Sequence, residues 1–233
     1  MDVKKPRIAF ALVAALLTLA ACSEQSGTDG NDGGAGGTLP LGSGFDYYVL
    51  ALSWSPSYCA VEGEDANRQQ CDSGRPYGFI VHGLWPQFER GYPANCPTDL
   101  SLDVPKEALR KLYDIMPSAG LIRHQWKKHG TCSGLTRADY FATLRKARET
   151  VTIPAEFARL DDYTTVDPDV LERAFLASNE GSDAAGIVVT CGKRYLREVR
   201  LCMTKSLDFR TCPELERRAC SSDKAVMPPA RGG

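Results

Sequence analysis

The chain carries almost no net charge, −1 with histidine neutral. Setting aside the three basic and four acidic residues among the first 44 leaves 25 of each sign in the remainder. A global field that would gather a polyanion is therefore excluded, and any site for one has to be local. Long hydrophobic runs are also missing: the stretch from Ile8 to Leu19 is too short to span a membrane comfortably. No internal repeat and no glycine-rich nucleotide loop occurs, which removes solenoids and phosphate-loop folds from consideration. Histidine is scarce, with only His82, His124 and His129.

What is present suits one globular domain with extensions, since 43% of the residues are apolar and can build a sizeable core. Lys4, Lys5 and Arg7 precede the apolar run, as in an export signal. The run closes on Leu19-Ala20-Ala21-Cys22, which resembles a bacterial lipoprotein signal: residues 1–21 are cleaved and Cys22 is lipidated. Ser23 in place of an acidic residue favours the outer over the inner membrane, the alternative being simple secretion to the periplasm. Residues 22–44, rich in Gly, Ser, Thr, Asp and Asn, then form a flexible tether. The folded domain runs over 45–226, and 227–233 are a frayed tail. Without Cys22, eight cysteines remain; in an exported chain an even number reads as four disulfides whose pairing the sequence does not choose.

Within the domain, Phe45 to Trp54 reads as a buried strand and Gly78 to His82 as a second one. Gly83 and Pro86 break that second strand, so His82 is expected at a strand end facing a cleft. Trp85, Phe88 and Tyr92 follow on a loop. Apolar spacing predicts helices from Pro105 to Ile115, from Thr136 to about Thr150, and from Asp167-Pro168 through Phe175. Ile187 to Cys191 and Tyr195 to Met203 read as late strands.

The densest chemistry lies in His124-Gln125-Trp126-Lys127-Lys128-His129-Gly130-Thr131-Cys132. At about 100° per residue, His124, Gln125, Lys128 and His129 share an arc of roughly 140° on a helix. Two imidazoles, an amide and an ammonium on one face are equipment for acid/base work on an anion. Gly130 is expected to end the helix in a left-handed conformation. Zinc is disfavoured, because metal-binding helices place histidines four apart, as in H-E-x-x-H, whereas these are five apart with ammonium groups between them.

These residues carry a resemblance to the ribonuclease T2 family of acid, transferase-type endoribonucleases. Phe79-Ile80-Val81-His82-Gly83-Leu84-Trp85-Pro86 is similar to one family signature, and residues 124 to 132 to the other. The likeness runs from Phe45 to about Cys220. It implies an α+β fold, a twisted antiparallel sheet flanked by helices, acting as a monomer without metal or organic cofactor. It also implies the bridges Cys96 to Cys132 and Cys191 to Cys220 around Cys202 to Cys212, which leaves Cys59 to Cys71.

The implied reaction cuts single-stranded RNA through the neighbouring 2′-hydroxyl, forming a 2′,3′-cyclic phosphate that is later hydrolysed to a 3′-phosphate. It needs a base on the nucleophile and an acid on the leaving 5′-oxygen, which two histidines in opposite protonation states supply. By resemblance His129 is the base, His82 the acid and His124 a phosphate-holding group, while Lys128 stabilises charge on the pentacovalent phosphorus. Trp85 stacks the base 5′ of the cut, with Tyr92 as a second platform. The chain departs from the family twice. Gln125 stands where most members carry glutamate; an amide can bond a phosphoryl oxygen or orient His129, but has no charge to offer. Gln87 replaces an aspartate some relatives use for base preference, so broad specificity is expected. A relative that holds RNA but turns it over poorly is the competing reading, motivated by Gln125 and opposed by the intact His82, Lys128 and His129 set.

Overall fold

The computed structural model describes residues 40–230. The signal segment, Cys22 and all but the last few tether residues lie outside the described residues. In chain order the elements are β1 (Tyr47–Trp54), α1 (Ser55–Glu62), α2 (Arg68–Cys71), β2 (Phe79–Gln87), α3 (Lys106–Arg110) and α4 (Ala119–Lys128). They continue with α5 (Arg137–Thr150), α6 (Ala155–Ala158), β3 (Thr164–Val166), α7 (Pro168–Ser178), β4 (Ile187–Cys191), β5 (Leu196–Met203) and β6 (Ala225–Met227). The architecture is α+β, with an antiparallel sheet ordered β2-β1-β5-β4 and a separate β3-β6 pair.

Strand β1 is buried on both faces, which is why its sequence is continuously apolar and does not alternate. Tyr48, Leu50, Leu52 and Trp54 point to the main core, where Trp126 of α4, Tyr140 of α5 and Phe175 of α7 meet them. Each side chain of this size, fully buried, contributes about 1.5–3 kcal/mol. The opposite face holds a smaller cluster of Tyr47, Val49, Val188, Cys202, Cys212 and Leu215, with Trp85 packed against it. This second face is where the cleft lies.

Strand β2 does not stop at Gly83. It runs on to Gln87, so His82 is within the strand and not at its end, and Trp85 belongs to the strand and not to a loop. Pro86 is tolerated because β2 is the edge of the sheet and pairs on one side only. The irregularity predicted from Gly83 takes the form of a bulge: Ala51 pairs with Gly83 and Leu52 with Val81, leaving His82 as the extra residue. In a regular strand His82 and Trp85, three apart, would face opposite ways. The bulge puts both on the second face.

The helices start where their caps predict. Ser118 accepts from the Leu121 amide at 3.2 Å, Thr136 from Asp139 at 3.2 Å, and Asp167 from Asp169 at 2.9 Å ahead of Pro168. Helix α3 is shorter than the expected 105–115 span. After Arg110 the chain tightens into turns that deliver the Ile115 carbonyl to Val81 N–H, 2.8 Å away on the open edge of β2. Gly130 is not left-handed; a β-carbon there would collide with the Trp126 ring and come within 2.9 Å of Tyr140. The glycine is required by packing.

All four implied disulfides form: Cys59–Cys71, Cys96–Cys132, Cys191–Cys220 and Cys202–Cys212. Each typically contributes about 2–4 kcal/mol. Two boundaries differ from expectation. At the start, Gly42, which is buried, and Ser43, which is exposed but whose amide donates to the Ser133 carbonyl at 2.9 Å, already belong to the fold. At the end, the stretch expected to fray from Met227 is packed through Ala230. Met227 and Ala230 are buried, Pro228 accepts from the Trp54 indole at 2.9 Å, and Ala230 donates to Leu160 at 2.8 Å. A buried indole N–H needs an acceptor, and the tail supplies it.

Candidate active site

The bulge on β2 and the end of α4 face each other across a cleft of about 700 Å3. His82, Trp85, His124, Gln125, Lys128 and His129 all line it, as do Gln87 and Tyr92. The structure thus brings together every histidine, lysine and aromatic residue that the sequence marks as chemical. Arg197, Arg200, Arg217 and Arg218 add positive charge to the wall, against one carboxylate, Glu214. In a chain of net charge −1 this is the local site for a polyanion that composition requires.

The histidines occupy unlike surroundings. His129 is 6% exposed, follows the last turn of α4, and lies 5.4 Å from the Trp85 ring at an interplanar angle of 30°. Burial, followed by the charges of Lys128, His124 and His82, lowers its pKa to about 3. Its Nδ1 is buried with no hydrogen-bond partner among the described residues, so Nε2 is the nitrogen left toward the cleft. His129 is therefore a neutral imidazole over the whole physiological range. His124, exposed on α4, is also shifted down, first by desolvation and then by Lys128, His82 and Lys127.

His82 differs. Its Nδ1 is hydrogen-bonded to Oε1 of Glu198, a residue only 3% exposed on β5, which leaves Nε2 for the cleft. The other Glu198 oxygen accepts from Arg200 Nε at 2.8 Å and lies 2.7 Å from Nη2 in an ion pair. Burial pushes the Glu198 carboxyl up, but the hydrogen bond and charge of His82, together with Arg200, outweigh it and hold the pKa at about 2. Arg200 in turn lies over the Trp85 ring, 5.0 Å from its centroid.

Gln125 is not where the sequence suggests. It lines the cleft but is 1% exposed, and its Oε1 accepts from Trp85 Nε1 at 2.8 Å, its side chain making no bond to the His129 ring. Gly83 makes the approach feasible, because a β-carbon there would overlap both the Gln125 amide and the indole nitrogen. Gln87 bonds the carbonyl of its own neighbour Pro86 at 2.9 Å, and Tyr92 stands 56% exposed at the rim. Sequence reasoning missed Glu198 and Arg200. The available signal was a carboxylate inside a strand otherwise rich in Leu and Val, set between Arg197 and Arg200.

A second cleft of about 960 Å3 opens on the other side of His82. It runs beneath α1 and past the start of α4, with Ser57, Asn67, Gln70 and Leu121 on its walls, and it shares His82, His124 and Arg197 with the first. Ser57 Oγ and Asn67 Oδ1 are buried there without partners among the described residues. Among the described residues no group of three or more His, Cys, Asp or Glu side chains is placed to hold a metal ion.

Two imidazoles in unlike environments, an ammonium and a basic wall define a site for acid/base chemistry on a phosphodiester. The comparisons agree: residues 45–212 match the model of the Ribonuclease T2 family. The chain belongs to that family. It is 35% identical to a ribonuclease of Aeromonas hydrophila over 189 residues, covering 76% of this chain and 81% of the relative. Ribonuclease I of Escherichia coli is 29% identical over 200 residues, covering 67% and 74%. The solved structure of RNase NT in complex with 5′-AMP superposes with a TM-score of 0.61 at 26% identity, covering 79% of this chain and 98% of that one.

Proposed function

We propose that this chain is an endoribonuclease that cuts single-stranded RNA with broad base specificity, using its own side chains for every proton transfer. The observation that carries the reading is the unlike setting of two histidines across one cleft. Pairs of titratable groups held in opposing environments divide into acid and base.

His129, neutral and with Nε2 open, takes the proton of the 2′-hydroxyl. The 2′-oxygen attacks phosphorus, the bond to the 5′-oxygen breaks, and His82 supplies that oxygen with a proton from Nε2. The product is a 2′,3′-cyclic phosphate. With water as nucleophile the roles reverse, and the ring opens to a 3′-phosphate. Lys128, half-buried at the end of α4, adds a fixed positive charge to the phosphorane, and His124 holds a non-bridging oxygen. The two clefts meet at His82 and His124, which suits one nucleoside on each side of the reacting phosphate. Trp85 and Tyr92 give the first cleft aromatic surface, and stacking is indifferent to base identity. Gln87, an amide where some relatives carry a carboxylate, supports weak base preference.

The test is incubation of the mature protein with homopolymer RNAs in chelator, followed by end analysis. Cyclic-phosphate ends that vanish in His129→Ala support the reading, and cleavage that stops without divalent ions sinks it.

We further propose that the enzyme works as a monomer in the cell envelope, held to a membrane, the outer one for preference, by a lipid on Cys22. The Leu19-Ala20-Ala21-Cys22 sequence and the Gly-rich stretch after it support the anchor. Mass spectrometry of the mature N-terminus decides this point: an unlipidated terminus other than Cys22 refutes it.

A further inference from the structure

We propose that Glu198, braced by Arg200, is a positioning residue for the acid step: by accepting from His82 Nδ1 it fixes the imidazole so that the transferable proton sits on Nε2, aimed at the leaving oxygen. The inference rests on the reading of His82 as the acid and extends it to a residue outside both sequence signatures.

The geometry is specific. Glu198 is 3% exposed, yet no oxygen is idle: Oε2 accepts from Arg200 Nε at 2.8 Å and lies 2.7 Å from Nη2 in an ion pair, while Oε1 meets His82 Nδ1 and lies 3.4 Å from Ser53 Oγ. A carboxylate serving only as Arg200's counter-ion would use Oε2 alone. The second oxygen is directed to the residue that the β2 bulge has turned onto this face. A histidine whose one nitrogen is bound to a buried carboxylate has its tautomer and ring orientation set by that bond. Arg200 sets the carboxylate, and its position over Trp85 links the arrangement to the aromatic wall.

The charges around His82 come from several elements. Glu198 and Arg200 project from β5, with Arg197 beside them; His124, Lys128 and His129 face it from α4 and its end. Glu62 of α1 and Glu214 stand on the walls of the two clefts. Among the described residues Glu198 is the sole anion bonded to the ring. Its removal takes away the one acceptor that holds His82 Nδ1 and leaves Arg200 without its counter-ion.

Acid catalysis has a signature that mere structural support lacks: it matters only when the leaving group needs a proton. Uridine 3′-(4-nitrophenyl phosphate) releases a stable phenolate, whereas RNA releases an alkoxide. In Glu198→Gln, kcat on poly(U) is expected to fall about 100-fold with KM within about twofold, the size and pattern of a lost acid–base contribution. On the nitrophenyl ester the same variant stays within about threefold of wild type. Equal losses on both substrates, or no loss on either, overturn the proposal. His82→Ala is the reference: if the ester does not rescue it, the assignment of His82 as the acid falls. If the ester rescues His82→Ala but not Glu198→Gln, only the role of Glu198 falls. Should Glu198→Gln fail to fold, Glu198→Asp retains the charge but withdraws it from Nδ1. The same split between substrates is expected, and full activity on both refutes the proposal.

Discussion

The indole nitrogen of Trp85 donates to Oε1 of Gln125 at 2.8 Å, over a Gly83 that has no β-carbon to obstruct it. The bond ties the aromatic wall of the cleft on β2 to the helix that carries His124 and Lys128. Trp85→Phe keeps a ring but removes the donor, leaving a buried amide oxygen unpaired. An orphan of this kind costs about 1–3 kcal/mol. A lowered urea midpoint with unchanged slope is expected, and wild-type stability in Trp85→Phe would refute the role given to this bond.

Gln125→Glu is the complementary change. A carboxylate oxygen accepts from the indole as an amide oxygen does, so the fold is expected to persist, but a negative charge now lies beside His129 and Lys128. The His129 pKa, now about 3, rises. Because the base must be neutral, the acidic limb of the kcat profile shifts to higher pH and turnover changes with it. A profile superimposable on wild type at every pH counts against the site as drawn.

The charge and proton groups are separable by kinetics. His82→Ala and His129→Ala should each lose about 10²–10⁴ in kcat on RNA, the usual share of general acid–base catalysis. Lys128→Ala removes charge stabilisation at phosphorus and should lower kcat by about 10²–10³ with little change in KM. A change confined to KM would make Lys128 a binding residue only.

Acid should weaken the fold through His129. Its folded pKa of about 3 lies below the 6.5 of a free side chain, so between those values the unfolded chain binds more protons. Stability is therefore full above pH 6.5 and declines as pH falls toward 3. Glu198, at about 2 against 4.5, adds a further loss below pH 4.5. Urea titrations at pH 7, 5 and 4 should show a smaller decline for His129→Gln than for wild type; equal declines would contradict the buried, neutral ring.

The C-terminal strand is structural. Ending the chain at Lys224 removes β6 and the Pro228 carbonyl that receives the Trp54 indole. The orphaned N–H alone costs about 1–3 kcal/mol, and the lost burial of Ala225 and Met227 adds to it. A truncated chain with the wild-type melting temperature would show the tail to be dispensable.

What was legible in the sequence follows from how local each signal is. Strands β1, β4 and β5 and helices α5 and α7 were readable because apolar pattern and caps are written within a few residues. The histidines and Lys128 that line the cleft were readable from two short motifs. Contacts made by distant residues were not. Nothing near Gln125 announces that its partner is Trp85, 40 positions earlier, and nothing near Glu198 announces His82, 116 positions earlier. The turn of His82 onto the Trp85 face depends on a pairing offset with β1, which only the assembled sheet defines. α1 and the β3-β6 pair escaped for a related reason: they are short, and tertiary packing supports them more than local preference.

The Cys96–Cys132 bridge closes just beyond His129, and the neighbouring Asn95 amide donates to the Lys128 carbonyl at 2.8 Å. The seat of His129 and Lys128, proposed here as base and cationic helper, is thus stapled by a covalent link that exists only after oxidation. Wherever thiols are kept reduced, the staple is missing and the two groups lose their shared anchor. A copy whose bridge has not yet closed is expected to cut RNA more slowly than the oxidised one.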